Sequence, residues 1–113
     1  MEIMYKNKAV EKQFSSKHQN NWKYPTLVKE KLLAAENLFI QAESLQDIVS
    51  YPPFHFHKYK DEWSIYLGKK LGYRITLIPC DVDGNSITSG DIIAQCKIIK
   101  VVKITGVSNY YGK

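Results

Sequence analysis

Apolar residues recur every three or four positions in the first part of the chain and every second position later, so helices are expected first and strands afterwards. Glu2-Ile3-Met4-Tyr5 reads as a short strand. Asn7 then suits the N-cap of a helix carrying Val10 and Phe14 on one face, which should end near the polar run of residues 15–21. The clearest helix starts at Pro25-Thr26, where proline fits the first turn, and places Val28, Leu32, Ala35, Phe39 and Ala42 on one stripe. Ser44-Leu45-Gln46-Asp47 looks like a short capped turn. Pro52-Pro53 removes two amide donors and restricts its neighbours, which predicts an extended chain there.

Residues 54–57, 63–67 and 73–78 are rich in aromatic and β-branched side chains and alternate as half-buried strands do. Gly68 to Gly72 should join two of them as a hairpin, with further turns at Asp83-Gly84-Asn85 and Ser89-Gly90. The nearly continuous apolar run of residues 92–104 predicts a central strand, and the tail after Gly106 a loop. The expected fold is therefore α+β: two N-terminal helices packed on one face of a small antiparallel sheet, with the other face open. Side-chain alternation says what that face presents. If Trp63, Ile65 and Leu67 point inward, Ser64 and Tyr66 point outward; Tyr73, Ile75 and Leu77 inward put Arg74 and Thr76 outward; Phe54 and Phe56 inward put His55 and His57 outward. His55, His57, Tyr66 and Arg74 then share one surface, with Lys58, Lys60, Lys69 and Lys70 in the adjoining loops.

Composition narrows the function. A chain of 113 residues with 44% hydrophobic and 24% charged residues fits one domain, 1–113, with its own core. No apolar stretch approaches the ~20 residues of a membrane span, and the first residues lack a secretory signal pattern, so a cytoplasmic protein is expected. Cys80 and Cys96 match no metal or redox spacing and read as packed thiols. The net charge is +5, with bases concentrated at both ends and in the middle of the chain, a distribution suited to a polyanion if folding brings them together. Of the 16 bases, Arg74 is the single arginine.

His55 and His57 could hold a metal from one side of a strand, but no third ligand stands at a recognisable spacing. Acid/base work is the sharper use, since imidazole titrates closest to neutrality, and ordinary surface histidines are the alternative. Arg74 offers a planar fork matched to phosphate, or else an ion pair with Asp61, Glu62 or Asp81. Lys58 and Lys60, beside His57, could offset the charge of a phosphorane. Tyr110 and Tyr111 suit stacking on bases or packing on a neighbour. No Ser-His-Asp order, glycine-rich phosphate loop or zinc signature is present. Cleavage of RNA needs none of them, because its 2′-hydroxyl is the nucleophile.

The order His57-Lys58-Tyr59-Lys60, Glu62-Trp63-Ser64-Ile65, Gly72-Tyr73-Arg74-Ile75 and Asp83-Gly84-Asn85, ending in a polar-aromatic tail, resembles the RelE/ParE toxin superfamily across nearly the whole chain. The branch it looks most like is that of the HigB, or plasmid-maintenance killer, toxins. That resemblance implies the toxin of a type II toxin-antitoxin system, an mRNA interferase. Such an enzyme cuts mRNA in the ribosome by 2′-hydroxyl attack without a metal or cofactor and arrests translation and growth. It also implies a HigA-like helix-turn-helix antitoxin as partner in a hetero-oligomer, with no membrane involved. The family's basic position before the Trp-Ser-Ile strand falls on Lys60, preceded by His57, and its Tyr-Arg strand on Tyr73-Arg74. The Asp-Tyr-His ending of this branch aligns with Asn109-Tyr110-Tyr111, which keeps Tyr110 and lacks the acid and the histidine. The expected catalytic set is thus His57, Lys60, Arg74, Tyr110 and Tyr111, with His55, Lys58, Tyr66, Lys69 and Lys70 on the RNA. A ParE-like gyrase inhibitor and an RNA-binding member that cleaves weakly are the alternatives.

Overall fold

A computed structural model of the chain describes residues 1–68 and 70–110. Strand β1 (Glu2–Tyr5) leads to α1 (Lys8–Phe14), whose N-cap Asn7 accepts from the Val10 amide at 2.9 Å. The polar run that follows forms a 3-10 turn, Ser16–Asn21, before α2 (Thr26–Gln41). Buried Val28, Leu32, Ala35 and Phe39 confirm the stripe read from their spacing. The terminal amine of Met1 donates to the carbonyls of Ile40 and Ala42, placing positive charge at the C-terminal, electronegative end of α2. A short helix, α3 (Gln46–Val49), precedes strands β2 (His57–Tyr59), β3 (Glu62–Gly68) and β4 (Tyr73–Cys80). Helix α4 (Ile92–Gln95) and strand β5 (Val101–Asn109) complete the chain.

The architecture is α+β, with a five-stranded sheet in the order β1-β5-β4-β3-β2. Side chains from α1, α2 and the inner face of the strands, among them Phe14, Leu32, Phe39, Ile65, Ile75, Leu77 and Ile104, form one buried core. The expected all-antiparallel sheet is corrected in one place: β1 runs parallel to β5, while the other neighbours are antiparallel. Nor are the helices confined to the N-terminal part, since α3 and α4 come later.

Four local expectations are also corrected. Pro52 and Pro53 open a 3-10 turn, Pro52–Phe54, where a fixed φ is already correct and a missing amide loses no bond. That turn ends at His55 in the left-handed region (φ 48°), so residues 54–56 are not strand and β2 is only three residues long. Residues 92–95 are helical, because Asp91 caps them by accepting from the Ala94 amide at 3.2 Å. β5 runs beyond Gly106 to Asn109, where a loop was expected. Cys80 and Cys96 are buried free thiols, and burial pushes the Cys80 thiol up. No helix among the described residues is long and apolar enough to cross a membrane.

Candidate functional site

The outer face of the sheet is built by strand register. His57 lies opposite Ser64, Ser64 opposite Thr76, Tyr66 opposite Arg74, and Arg74 opposite Ser108. Four of the residues that alternation assigned to this face come together on it. The His55 and Tyr66 rings stack at 5.6 Å with 2° between their planes, and His57 lies 5.1 Å from His55 and 5.2 Å from Tyr66. Tyr66 in turn meets Tyr110 at 5.5 Å. Tyr110 is held by its amide, which donates to Gly72 at 2.7 Å and ties the tail to the β3–β4 connection.

Arg74 occupies the centre. Its guanidinium carbon lies 4.2 Å from the Tyr59 ring centroid and 4.4 Å from that of Tyr110, so the cation is gripped by two aromatic rings. None of Asp61, Glu62 or Asp81 pairs with it; the one ion pair among the described residues joins Lys17 to Glu11. Glu62 instead accepts from the Thr105 hydroxyl, which lies 2.8 Å from the Thr76 hydroxyl. The Arg74 Nε and the Ser64 Oγ are both buried without a hydrogen-bond partner. Ser64 points outward as alternation requires yet is 0% exposed.

His57 has a defined orientation. Its Nδ1 lies 2.7 Å from the carbonyl oxygen of His55. A carbonyl only accepts, so Nδ1 carries the hydrogen and Nε2 keeps its lone pair in the neutral ring. The left-handed backbone of His55 is what aims that carbonyl, and it projects the His55 ring onto Tyr66 at the same time.

Tyr59 belongs to this cluster although the sequence expectations did not single it out. The signal was available: Tyr59 stands two residues after His57 on one strand and so shares its side. Lys58, between them, faces the other way, with its Nζ 5.2 Å from the Trp63 ring centroid, and is therefore not part of this surface. Lys60 sits in the β2–β3 turn at φ 56°, its Nζ 5.4 Å from the Tyr59 centroid, so Tyr59 carries both cations. Lys70 is exposed in the β3–β4 connection. Lys69 and Tyr111 lie outside the described residues.

Two clefts flank the aromatic cluster. One, of about 690 Å³, runs between α2 and the 51–55 turn and opens at His55 and Tyr66. The other, of about 610 Å³, lies beside α1 and is lined by Asn7, Gln13, Tyr59, Lys60, Thr105 and Ser108. No group of three or more His, Cys, Asp or Glu among the described residues could hold a metal ion. The arrangement combines a fixed, unneutralised cation, an imidazole with an available nitrogen and several aromatic planes, which is the equipment for binding an anion attached to flat rings and moving a proton beside it. Comparison with known proteins finds no matching family, no matching curated protein and no matching solved structure.

Proposed function

We propose that this chain is a metal-independent endoribonuclease of the RelE-like kind, the HigB-like toxin of a type II toxin-antitoxin system acting on mRNA at the ribosome. The observation that carries the reading is Arg74, held between Tyr59 and Tyr110 without a carboxylate partner among the described residues, next to the His55–His57–Tyr66 cluster. An arginine serving only as an ion-pair partner would have its acid. This one is stacked into place and its charge is left for an incoming anion, as a phosphate-binding residue requires.

In this scheme Arg74 and Lys60 hold the scissile phosphate. The Nε2 of His57 takes the proton of the RNA 2′-hydroxyl, whose oxygen attacks the adjacent phosphorus. The phosphorus–5′-oxygen bond then breaks, leaving a 2′,3′-cyclic phosphate and a 5′-hydroxyl protonated by the second imidazole, His55. Charge accumulating on the phosphorane is offset by the two cations. Tyr66 and Tyr110 present ring faces to the neighbouring bases. The partner on this reading is a helix-turn-helix antitoxin that covers the face, and the setting is the cytoplasm.

Inducible expression in bacteria, followed by primer extension on cellular mRNA, tests the proposal. Growth arrest with new cuts inside translated codons is expected. Arg74→Ala and His57→Ala should each lower cleavage at least 100-fold while the purified variants keep the wild-type circular dichroism spectrum. Full toxicity in both variants, or arrest with intact mRNA, overturns the proposal; the second result would move the reading to a gyrase inhibitor.

A further inference from the structure

Of the residues lining the cleft on the α2 side, the scheme above uses His55 and Tyr66 at the mouth and leaves the interior without a role. One wall is a stripe of α2 at helical spacing, Lys31, Ala34 and Leu38; the other is the Tyr51-Pro52-Pro53 turn. Leu38 is 36% and Tyr51 39% exposed, so an apolar rim faces solvent. Pairing between β2 and β3 stops at His57 opposite Ser64. The edge of β3 beyond Ser64, which contributes Tyr66, Leu67 and Gly68 to the lining, therefore runs along the cleft with no strand of the described residues beside it. Main-chain donors and acceptors on such an edge require partners. Among the described residues, the lining carries one formal charge, Lys31, and no carboxylate.

We propose that this cleft is a nucleobase pocket, receiving the base adjacent to the phosphate held at Arg74. The inference rests on the ribonuclease reading and adds its specificity determinant. A nucleobase has two apolar faces and a polar edge, and the cleft offers apolar walls with a free strand edge alongside. Tyr66 stands at the mouth, is the register partner of Arg74 and meets the ring of Tyr110, which grips the Arg74 guanidinium, so the mouth of the pocket adjoins the anion site. Lys31 provides a counter-charge for the next phosphate. An apolar peptide would also fit a slot beside a free strand, but the lysine and the imidazole at the rim, unaccompanied by any acid, match a polyanion. Cleavage should therefore show a preference for one base at a single position next to the cut.

The test is titration of the isotope-labelled full chain with AMP, GMP, CMP, UMP and ribose 5-phosphate, followed by amide NMR. At least one nucleotide should shift the Ala34, Leu38 and Tyr51 signals and bind at least tenfold tighter than ribose 5-phosphate. Leu38→Trp, which fills the cleft from its exposed rim, should remove that advantage and leave ribose 5-phosphate binding unchanged; Lys31→Glu, at an exposed position, should weaken binding of a dinucleotide, which carries the next phosphate, severalfold and leave the mononucleotides unaffected. Equal affinity for ribose 5-phosphate and all four nucleotides overturns the pocket, as does an unaltered preference in Leu38→Trp, or a response of these signals to an apolar peptide but to no nucleotide. The two proposals fail separately. Cleavage of mRNA by a chain with no nucleotide response in the cleft overturns the pocket alone, whereas nucleotide binding there without any cleavage overturns the ribonuclease reading alone.

Discussion

Arg74 is held by ring faces rather than by a carboxylate, and the difference matters chemically. A carboxylate would satisfy the guanidinium donors and cancel the charge; stacking orients the plane and leaves both available. Tyr59 and Tyr110 grip it at 4.2 and 4.4 Å. Tyr59→Ala should therefore weaken binding of a short single-stranded RNA about tenfold, in line with the ~1–2 kcal/mol of a partly desolvated cation–π contact. Tyr59→Phe, which keeps the ring, should bind within about twofold of wild type. Fluorescence anisotropy with a 2′-O-methyl oligonucleotide measures both, because the blocked nucleophile prevents cleavage. Arg74 and Tyr66 were legible in the sequence from alternation alone, as was His57. Tyr59 was equally legible by the same rule. The grip itself was not, since it depends on Tyr110 returning 36 positions later in the chain to the same point.

At the scale of elements, caps and turns decide the outcomes that periodicity leaves open. The apolar run of residues 92–104 is compatible with helix or strand, and Asp91 settles its start by capping α4. Asn7 does the same for α1, accepting from Val10. Asn7→Ala should cost about 1 kcal/mol, read as a lower urea midpoint with an unchanged slope. The two prolines teach a related lesson. Each suits the first positions of a helical turn as well as it suits an extended chain, and here the 3-10 turn buries Phe54 against the core. His55 then leaves that turn in the left-handed region, which sets both the direction of β2 and the carbonyl that orients His57. Local patterning thus placed both histidines on the open face, while the route by which His55 arrives there is a turn and not a strand.

For the molecule as a whole, Tyr24 joins the segments around the core. Its hydroxyl donates to the Gln13 carbonyl at 2.8 Å, and its ring meets Trp22 and, edge-on, Tyr73 of β4. Burial, with a smaller contribution from Tyr73, pushes its phenol up to about 12. The unfolded chain would ionise this group near the ordinary value of about 10. Between those values the folded state holds a proton that the unfolded state has lost, so the stability is complete below about pH 10 and is lost as the pH rises through about 12. Urea unfolding followed across that window should show a steeper decline in wild type than in Tyr24→Phe. An equal decline in the two proteins would place the alkaline sensitivity elsewhere.

The sequence by itself determined the α+β class, the two main helices with their buried stripes, and the identity of most side chains on the open face. Those follow from rules of short range: a helical period, a two-residue alternation and the capping chemistry of Asn7. Tertiary structure decided the parallel pairing of β1 with β5, the closure of Tyr59 and Tyr110 on Arg74, and the cleft between α2, the 51–55 turn and β3. The physical reason is common to all three. Each joins segments well separated in the chain, and which segments meet is settled by packing the whole core rather than by any neighbour in sequence.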